Sequence, residues 1–462
     1  MSLINHRYQL LERIGEGGMG VVFRAQDRLL NQVIALKSVT YLSQPTDKIP
    51  SQVFSDTRMN MAQEFRITAG LRHPNIVSVL DYGFDAKGLP YYTMPLLLHA
   101  KSLTDAAKDY DVQHKTLILV DLLQALIYLH RHGVIHRDLK PENVLIVRDE
   151  GVRVLDFGIA TRDTSSEDIV GTLHYIAPEV LQTKPASSSS DLYAVGVIAF
   201  ELYAGRKPFE GEDLSGVILK TAYEKPPLHL LPIDPGLVDF VGCLLAKKPE
   251  ERYASATHAL NELSRLIGIA GGESLETRES LLQAAQFVGR ETELAQLQQA
   301  LDQAQTGKGS AWLIGGESGV GKSRLLEELR VRALVAGMLT LRGQAVEGGG
   351  LRYQLWRDVL PQLILSTTIS DLEAGILHEI VPHIALLLER EVIPAAPVMG
   401  AGQQQRLTET ICDLFQRQTQ PMLLLLEDLQ WTTESLDVLK ALLPMVQDLP
   451  LLIVGSYRPD EA

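Results

Sequence analysis

The chain has 462 residues, 45% of them hydrophobic, and its 43 basic residues face 57 acidic ones for a formal charge of -14. That apolar share can fill sizeable cores and excludes a globally disordered chain, and the length provides for about three average domains or two large ones. The acidic balance disfavours non-specific nucleic-acid binding and docking on an anionic membrane, leaving room only for a local basic patch.

In chain order, 8–14, 20–24 and 34–40 read as strands around turns. Residues 44–55, with Pro45 and Pro50, read as a loop before the next helix. Residues 115–131 place Leu119, Leu122, Leu123, Leu126 and Leu129 at helical spacing. Residues 162–168 form a polar Ser/Thr-rich loop, and 191–203 a largely apolar helix expected to be buried. Gly271-Gly272 within 268–279 breaks the periodicity and marks a domain boundary. Beyond it, short apolar strands at 311–314, 422–426 and 451–454 alternate with helices, which argues for a parallel sheet with helices on its faces. No internal repeat occurs. Cys243 and Cys412 fall in different halves and form no disulfide framework or metal spacing. The first seven residues lack the apolar core of a signal peptide, and apolar runs such as 423–426 are too short to span a bilayer. The expectation is a soluble, cytoplasmic protein.

Three features carry chemistry in the first part. Gly15-Glu16-Gly17-Gly18-Met19-Gly20 fits GxGxxG and is followed by Val22. Glycines let a backbone approach phosphate oxygens closely. Alone, the motif would also suit a hairpin turn or a dinucleotide fold; strand-like flanks, with no helix opening at the third glycine, argue against the latter. Ile34-Ala35-Leu36-Lys37 sets a lysine in an apolar strand. His136-Arg137-Asp138-Leu139-Lys140-Pro141-Glu142-Asn143 and Asp156-Phe157-Gly158 then offer a base, cations and hard oxygen ligands, the set that phosphoryl transfer from Mg·ATP to a hydroxyl needs.

With Ala177-Pro178-Glu179 downstream, the chain from about Tyr8 to about Leu266 resembles the Hanks-type (eukaryotic-like) serine/threonine protein kinases. The resemblance implies an α+β two-lobed protein kinase fold over 8–266, with a small lobe of about 8–97 and a large lobe of about 98–266. It implies that Asp138 acts as base or hydroxyl-orienting group, that Lys140 neutralises the transferring phosphoryl, and that Lys37 holds the α- and β-phosphates, oriented by Glu64. Asn143 and Asp156 would hold Mg²⁺, and Thr172 would contact Asp138 and Lys140. Ile14, Gly15, Gly17, Gly20, Val22, Ala35, Met94, Leu97 and Leu145 would enclose ATP. Met94 falls at the gatekeeper place, and the following Pro95 departs from the usual hinge by removing a backbone donor. Glu179 would pair with Arg252 and Asp191 would anchor the loop, both structural roles. Thr164, Ser165 and Ser166 are candidates for a phosphate gripped by Arg137.

After a linker over 267–285, Gly316-Glu317-Ser318-Gly319-Val320-Gly321-Lys322-Ser323 fits GxxxxGK[ST], following an apolar strand and opening a helix. Backbone amides at a helix N-terminus cradle phosphate; Lys322 would reach the β- and γ-phosphates and Ser323 would bind Mg²⁺. Gly316 and Gly321 open the backbone to the nucleotide. The acids Glu427 and Asp428 end an apolar strand and could hold Mg²⁺, the division between them left open. With Phe287-Val288-Gly289-Arg290-Glu291, Leu429-Gln430-Trp431 and Tyr457-Arg458-Pro459, residues 286–462 resemble AAA-like ATPases of the STAND signalling class. This implies an α/β P-loop NTPase domain with a parallel sheet, with Arg458 sensing the γ-phosphate. The helical lid and winged helix of that class do not follow within these residues, whether the chain is a fragment or the module is truncated at its C-terminus, so nucleotide binding is expected and hydrolysis is left open. The resemblance as a whole implies a kinase acting on Ser/Thr hydroxyls of itself and partner proteins, with ATP and Mg²⁺ as cofactors and homo-oligomerisation left open. The competing expectation is a scaffold that binds ATP in both domains and phosphorylates little.

Overall fold

The computed structural model describes residues 3–17, 20–39, 51–148, 150–156, 173–211, 213–269, 289–348, 351–398, 401–432 and 435–461, with the backbone alone for 51–58 and 401. The first body opens with an antiparallel sheet. Its strands are β1 (Leu3–Ile4), β2 (Tyr8–Gly17), β3 (Gly20–Asp27), β4 (Gln32–Ser38), β5 (Asp81–Phe84) and β6 (Pro90–Pro95), in the order β1-β2-β3-β4-β6-β5. Helix α1 (Ser51–Ala69) lies between β4 and β5 in the chain. It begins inside 44–55, so the loop expected there ends by Ser51 at the latest. Pro45 and Pro50 suggested a loop, but a proline just ahead of a helix is a common start signal.

Helices dominate the second half of this body. Helix α2 (Val112–Arg131) starts where the Asp111 carboxylate accepts the His114 amide at 2.8 Å, meeting one of the helix's free donors. Leu119, Leu122, Leu123, Leu126 and Leu129 are all fully buried, each contributing roughly 2 kcal/mol of apolar burial. Among the described residues, α2 is the one helix long and apolar enough to cross a membrane, and these leucines are instead core. The apolar helix α3 (Ser188–Ala204) packs in the same core, as expected of 191–203, and ends at Gly205 with φ 69°. Helices α4 (Pro235–Leu244) and α5 (Ala256–Ile267) complete it. A small sheet of β7 (Lys101–Ser102), β8 (Val144–Val147) and β9 (Gly151–Val154) lies between the lobes' active elements, and its β8–β9 hairpin carries functional residues at both feet.

The second body is a parallel four-stranded sheet of β10 (Ser310–Gly315), β11 (Leu339–Gln344), β12 (Met422–Glu427) and β13 (Leu451–Tyr457), in the order β10-β13-β12-β11. On one face Leu423, Leu425, Leu452 and Val454 pack with α6 (Glu291–Gln305) and α7 (Lys322–Val335). On the other, Met422, Leu424, Leu426, Leu451 and Ile453 pack with helices that include α8 (Ala401–Arg417). Alternate residues feed opposite cores because a strand's side chains alternate in direction. This is why continuous apolar runs mark parallel strands covered on both faces. Two details differ from the sequence expectation. Strand β11, Leu-Thr-Leu-Arg-Gly-Gln, has no apolar run to announce it, because its polar residues interrupt the pattern. Strand β10 reads as an apolar strand, yet Trp312 and Leu313 are exposed, since among the described residues it pairs on one side alone and lies at the sheet's edge.

Candidate active site

Strand pairing sets the lysine. Lys37 is opposite Val22 on β3 and Tyr92 on β6, and its ammonium is buried. Nζ lies 2.6 Å from Asp156 Oδ1 and 3.5 Å from Glu64 Oε1 of α1. The Tyr92 hydroxyl donates to Glu64 Oε1 at 3.0 Å and contacts Asp156 Oδ1 at 3.3 Å. Burial works against charge on Lys37, but the carboxylates of Asp156 and Glu64 outweigh it and raise its pKa above the ordinary lysine value. Burial also works against Asp156, where Lys37 wins and holds the carboxyl below its ordinary range. At Glu64 burial wins over the more distant Lys37, and its pKa is raised.

The loop after α2 is fixed from beneath. Asp191 accepts the His136 amide at 2.9 Å and the Arg137 amide at 3.0 Å, and lies 2.8 Å from the His130 ring. Arg137 takes φ 69°, a conformation that costs a non-glycine residue about 1 kcal/mol or more and persists because Asp191 holds both amides. Asp138 then faces inward. Its Oδ2 accepts Asn143 Nδ2 at 2.9 Å and sits 3.1 Å from Lys140 Nζ, while Asn143 Nδ2 also donates to the Asp138 carbonyl at 2.7 Å. Asp138 Oδ1 is buried with no hydrogen-bond partner among the described residues. The Leu155 amide donates to the Asn143 carbonyl at 2.9 Å, and Val144 is paired with Val154, so the hairpin brings Asn143 and Asp156 to one end. The Asp156 side chain stays 33% exposed, which leaves its carboxylate accessible.

Above the cleft, Gly15 pairs with Val22 and Gly17 with Gly20. A Cβ on Gly20, at φ 142°, would lie 2.4 Å from the Ser38 carbonyl oxygen, so no other residue fits there. Ala35 is buried; Val22, Met94, Leu97 and Leu145 are half-buried and Ile14 is exposed. Gly18 and Met19, Phe157 and Gly158, the candidate phosphate acceptors Thr164, Ser165 and Ser166, and Thr172 lie outside the described residues.

In the second body, residues 316–321 join β10 to α7 with Gly319 at φ 80° and Gly321 at φ 91°. Lys322 Nζ donates to the Gly316 carbonyl at 2.6 Å and to the Glu317 carbonyl at 2.8 Å, folded onto the loop it serves. Ser323 Oγ donates to Glu427 Oε2 at 3.0 Å, and Arg342 Nε donates to Glu427 Oε1 at 2.7 Å. Asp428 instead lies near Gln344, at 3.2 Å, and Arg458, at 3.7 Å. The two acids thus have different neighbours, Glu427 adjoining the helix start. Arg458 stacks over Trp431 and pairs with Glu461 at 2.9 Å. Sequence reasoning missed Tyr92 and Arg342. Both enter through strand register, which no local spacing reveals.

These geometries agree with what comparison finds. A family model described as "Protein kinase domain" matches residues 8–263, and a model described as "AAA ATPase domain" matches 286–454. The chain belongs to the protein kinase family, with an AAA ATPase domain following the kinase domain, and both imply ATP binding. It is 33% identical over 288 residues to a protein named "Probable serine/threonine-protein kinase" of Corynebacterium efficiens, covering 57% of this chain and 42% of that protein. It is 34% identical over 275 residues to the serine/threonine-protein kinase pkn3 of Myxococcus xanthus, covering 55% and 48%. With the serine/threonine-protein kinase PknA of Mycobacterium tuberculosis the identity is 33% over 265 residues, covering 54% and 59%. The chain therefore spans about half the length of these curated relatives.

Proposed function

We propose that the protein is a cytoplasmic serine/threonine kinase, with a kinase domain over 8–266, a linker over 267–285 and a STAND-type nucleotide-binding module from 286 onward. Its substrates are Ser/Thr hydroxyls of its own chain and of partner proteins. The observation that carries this reading is the buried Asp138 Oδ1, without a hydrogen-bond partner among the described residues, flanked by Lys140 and braced by Asn143. An acceptor oxygen whose hydrogen-bonding capacity is not taken up by its described neighbours is placed to take a proton from an incoming hydroxyl. The hydroxyl oxygen bonds to the γ-phosphorus, the bond from that phosphorus to the β–γ bridging oxygen breaks, the proton passes to Asp138, and ADP leaves. Lys140 meets the charge on the transferring phosphoryl, and Lys37 meets the α- and β-phosphates with Glu64 setting its position.

The donor set fits Mg²⁺. Asn143 commits its amide nitrogen to Asp138, so its oxygen is the end available to a cation, and Asp156 supplies an accessible carboxylate. When bound, the ion neutralises phosphate charge and fixes phosphate geometry. Thr172 is assigned to the same site. Ile14, Gly15, Gly17, Gly20, Val22, Ala35, Met94, Leu97 and Leu145 form the ATP enclosure. In the second module, Gly316, Gly321 and Lys322 take phosphate, Ser323 and Glu427 take Mg²⁺ with Asp428 nearby, and Arg458 reaches toward the γ-phosphate.

The test is incorporation of labelled γ-phosphate, with Mg²⁺, into the chain itself and a generic basic protein. Asp138→Asn and Lys37→Met are each expected to lower incorporation about 100-fold or more without loss of folded structure. Incorporation unchanged in folded Asp138→Asn would sink the reading.

A further inference from the structure

One helix makes the apolar contact between the two bodies. The C-terminal part of α7 carries Val331, Leu334 and Val335 into a cluster with Met61, Phe65 and Ala69 of α1 and with Val79, Tyr82 and Phe84 at β5. Met61, Phe65 and Ala69 recur every fourth residue and so form one stripe of α1. Glu64 precedes Phe65 by one residue, about 100° round the helix, and points instead to Lys37. At the other end, Lys322 and Ser323 are the first two residues of α7. Its remaining apolar residues, Leu325, Leu326, Leu329 and Ala333, lock it onto its own sheet. One continuous helix of about 20 Å therefore runs from the P-loop to the back of α1.

Both ends of that helix have adjustable contacts. Lys322 is folded onto the carbonyls of Gly316 and Glu317, and Ser323 is bonded to Glu427. Phosphate and a cation would compete for these groups. At the far side, Lys37 sits 2.6 Å from Asp156 but 3.5 Å from Glu64, so a small movement of α1 decides how the lysine is shared. A second contact braces the joint: Arg28 of the kinase domain donates to the Leu387 carbonyl at 2.8 Å and pairs with Glu389 at 2.9 Å. Packed interfaces pass displacement on because close-packed side chains compress little.

We propose that α7 is a lever: nucleotide in the P-loop sets the position of α1 through the Val331–Leu334 contact, and so sets the Lys37–Glu64 pairing and the rate of phosphoryl transfer. This rests on the kinase reading and on nucleotide binding at Lys322. By linkage, if P-loop nucleotide changes the ATP affinity of the kinase site, ATP in the kinase site must change P-loop affinity by the same factor.

The test uses the full chain in four forms: native, Lys322→Ala, Val331→Ala with Leu334→Ala, and the triple variant. One measurement is phosphate incorporation; the other is hydrogen exchange of the 59–69 amides with and without Mg·ADP. Lys322→Ala is expected to shift incorporation about fivefold or more and to change the exchange response of 59–69. In the loosened background the same change should have less than about a twofold effect, the sign that the contact carries the coupling. Equal effects in both backgrounds, or none in either, overturn the lever. If no form incorporates phosphate, the kinase reading fails by itself and the exchange measurement still decides the coupling. If Lys322→Ala leaves labelled-ADP binding to a Lys37→Met chain unchanged, the P-loop does not hold the nucleotide and the lever falls with it. Val335→Ala, at the partly buried margin of the cluster, replaces the double change if that form does not fold.

Discussion

His73 is a residue whose role is thermodynamic. It is buried against Tyr128, with ring centroids 4.9 Å apart, and its Nδ1 accepts the Asn75 amide at 3.1 Å. Burial, helped by the charges of Arg153 and His132, pushes its pKa down to about 4. The folded chain keeps this imidazole neutral while the unfolded chain protonates it near 6.5. Its stabilising share is therefore complete above pH about 6.5 and is lost as the pH falls toward 4, a loss of roughly 3 kcal/mol at most. Urea unfolding at pH 7.5 and 4.5 should show a smaller drop for His73→Gln than for the native chain; an equal drop would show that His73 titrates normally. Burial, which gives His73 its pH dependence, has no local signature. Asp138, Lys37 and Lys322 were legible because their chemistry demands fixed spacing, whereas Tyr92 and Arg342 reach their partners only across paired strands.

Among elements, the short turn at Ala177-Pro178-Glu179 is tied to the segment after α4 by one ion pair. Arg252 meets Glu179 at 2.9 and 2.8 Å and also donates to the carbonyls of Ala246 and Ser189, each at 2.8 Å. The guanidinium is fully buried and the carboxylate nearly so. Burial alone would raise the Glu179 pKa; hydrogen bonds from Arg252 overcome it and hold the carboxyl below the ordinary glutamate range. Its stabilising share is thus present above pH about 4.5 and lost as the pH falls through that depressed value. Arg252→Met should cost roughly 3–5 kcal/mol at pH 7, because it strands a buried charge. The cost should shrink at pH 4, where Glu179 can protonate; a cost independent of pH would assign the loss to packing. This pair was legible from motif order. Strand β11 and the start of α1 were not: Thr340 and Arg342 break the apolar run of one, and two prolines obscured the other. Helices α2 and α3 were plain because one carries leucines at helical spacing and the other is a long, largely apolar stretch.

At the scale of the whole molecule, each body carries one cysteine, and the two differ in access. Cys243 is half-buried; Cys412 is buried in α8, and burial pushes its pKa up to about 11. Since the thiolate is the reactive form, a thiol reagent at pH 8 should label Cys243 first and reach Cys412 only when the second body opens. Mg·ADP should slow the Cys412 phase while leaving the Cys243 phase within about twofold. Equal slowing of both would mean that the two bodies open together. The edge of the parallel sheet has a different consequence. Among the described residues, strand β10 pairs with β13 alone and leaves Trp312 and Leu313 exposed beside a row of backbone donors and acceptors. Such an edge is a template for recruiting another strand. In concentrated solution this face should therefore govern colloidal behaviour, with light scattering that grows with protein concentration and falls in Leu313→Lys, whatever either nucleotide site is doing.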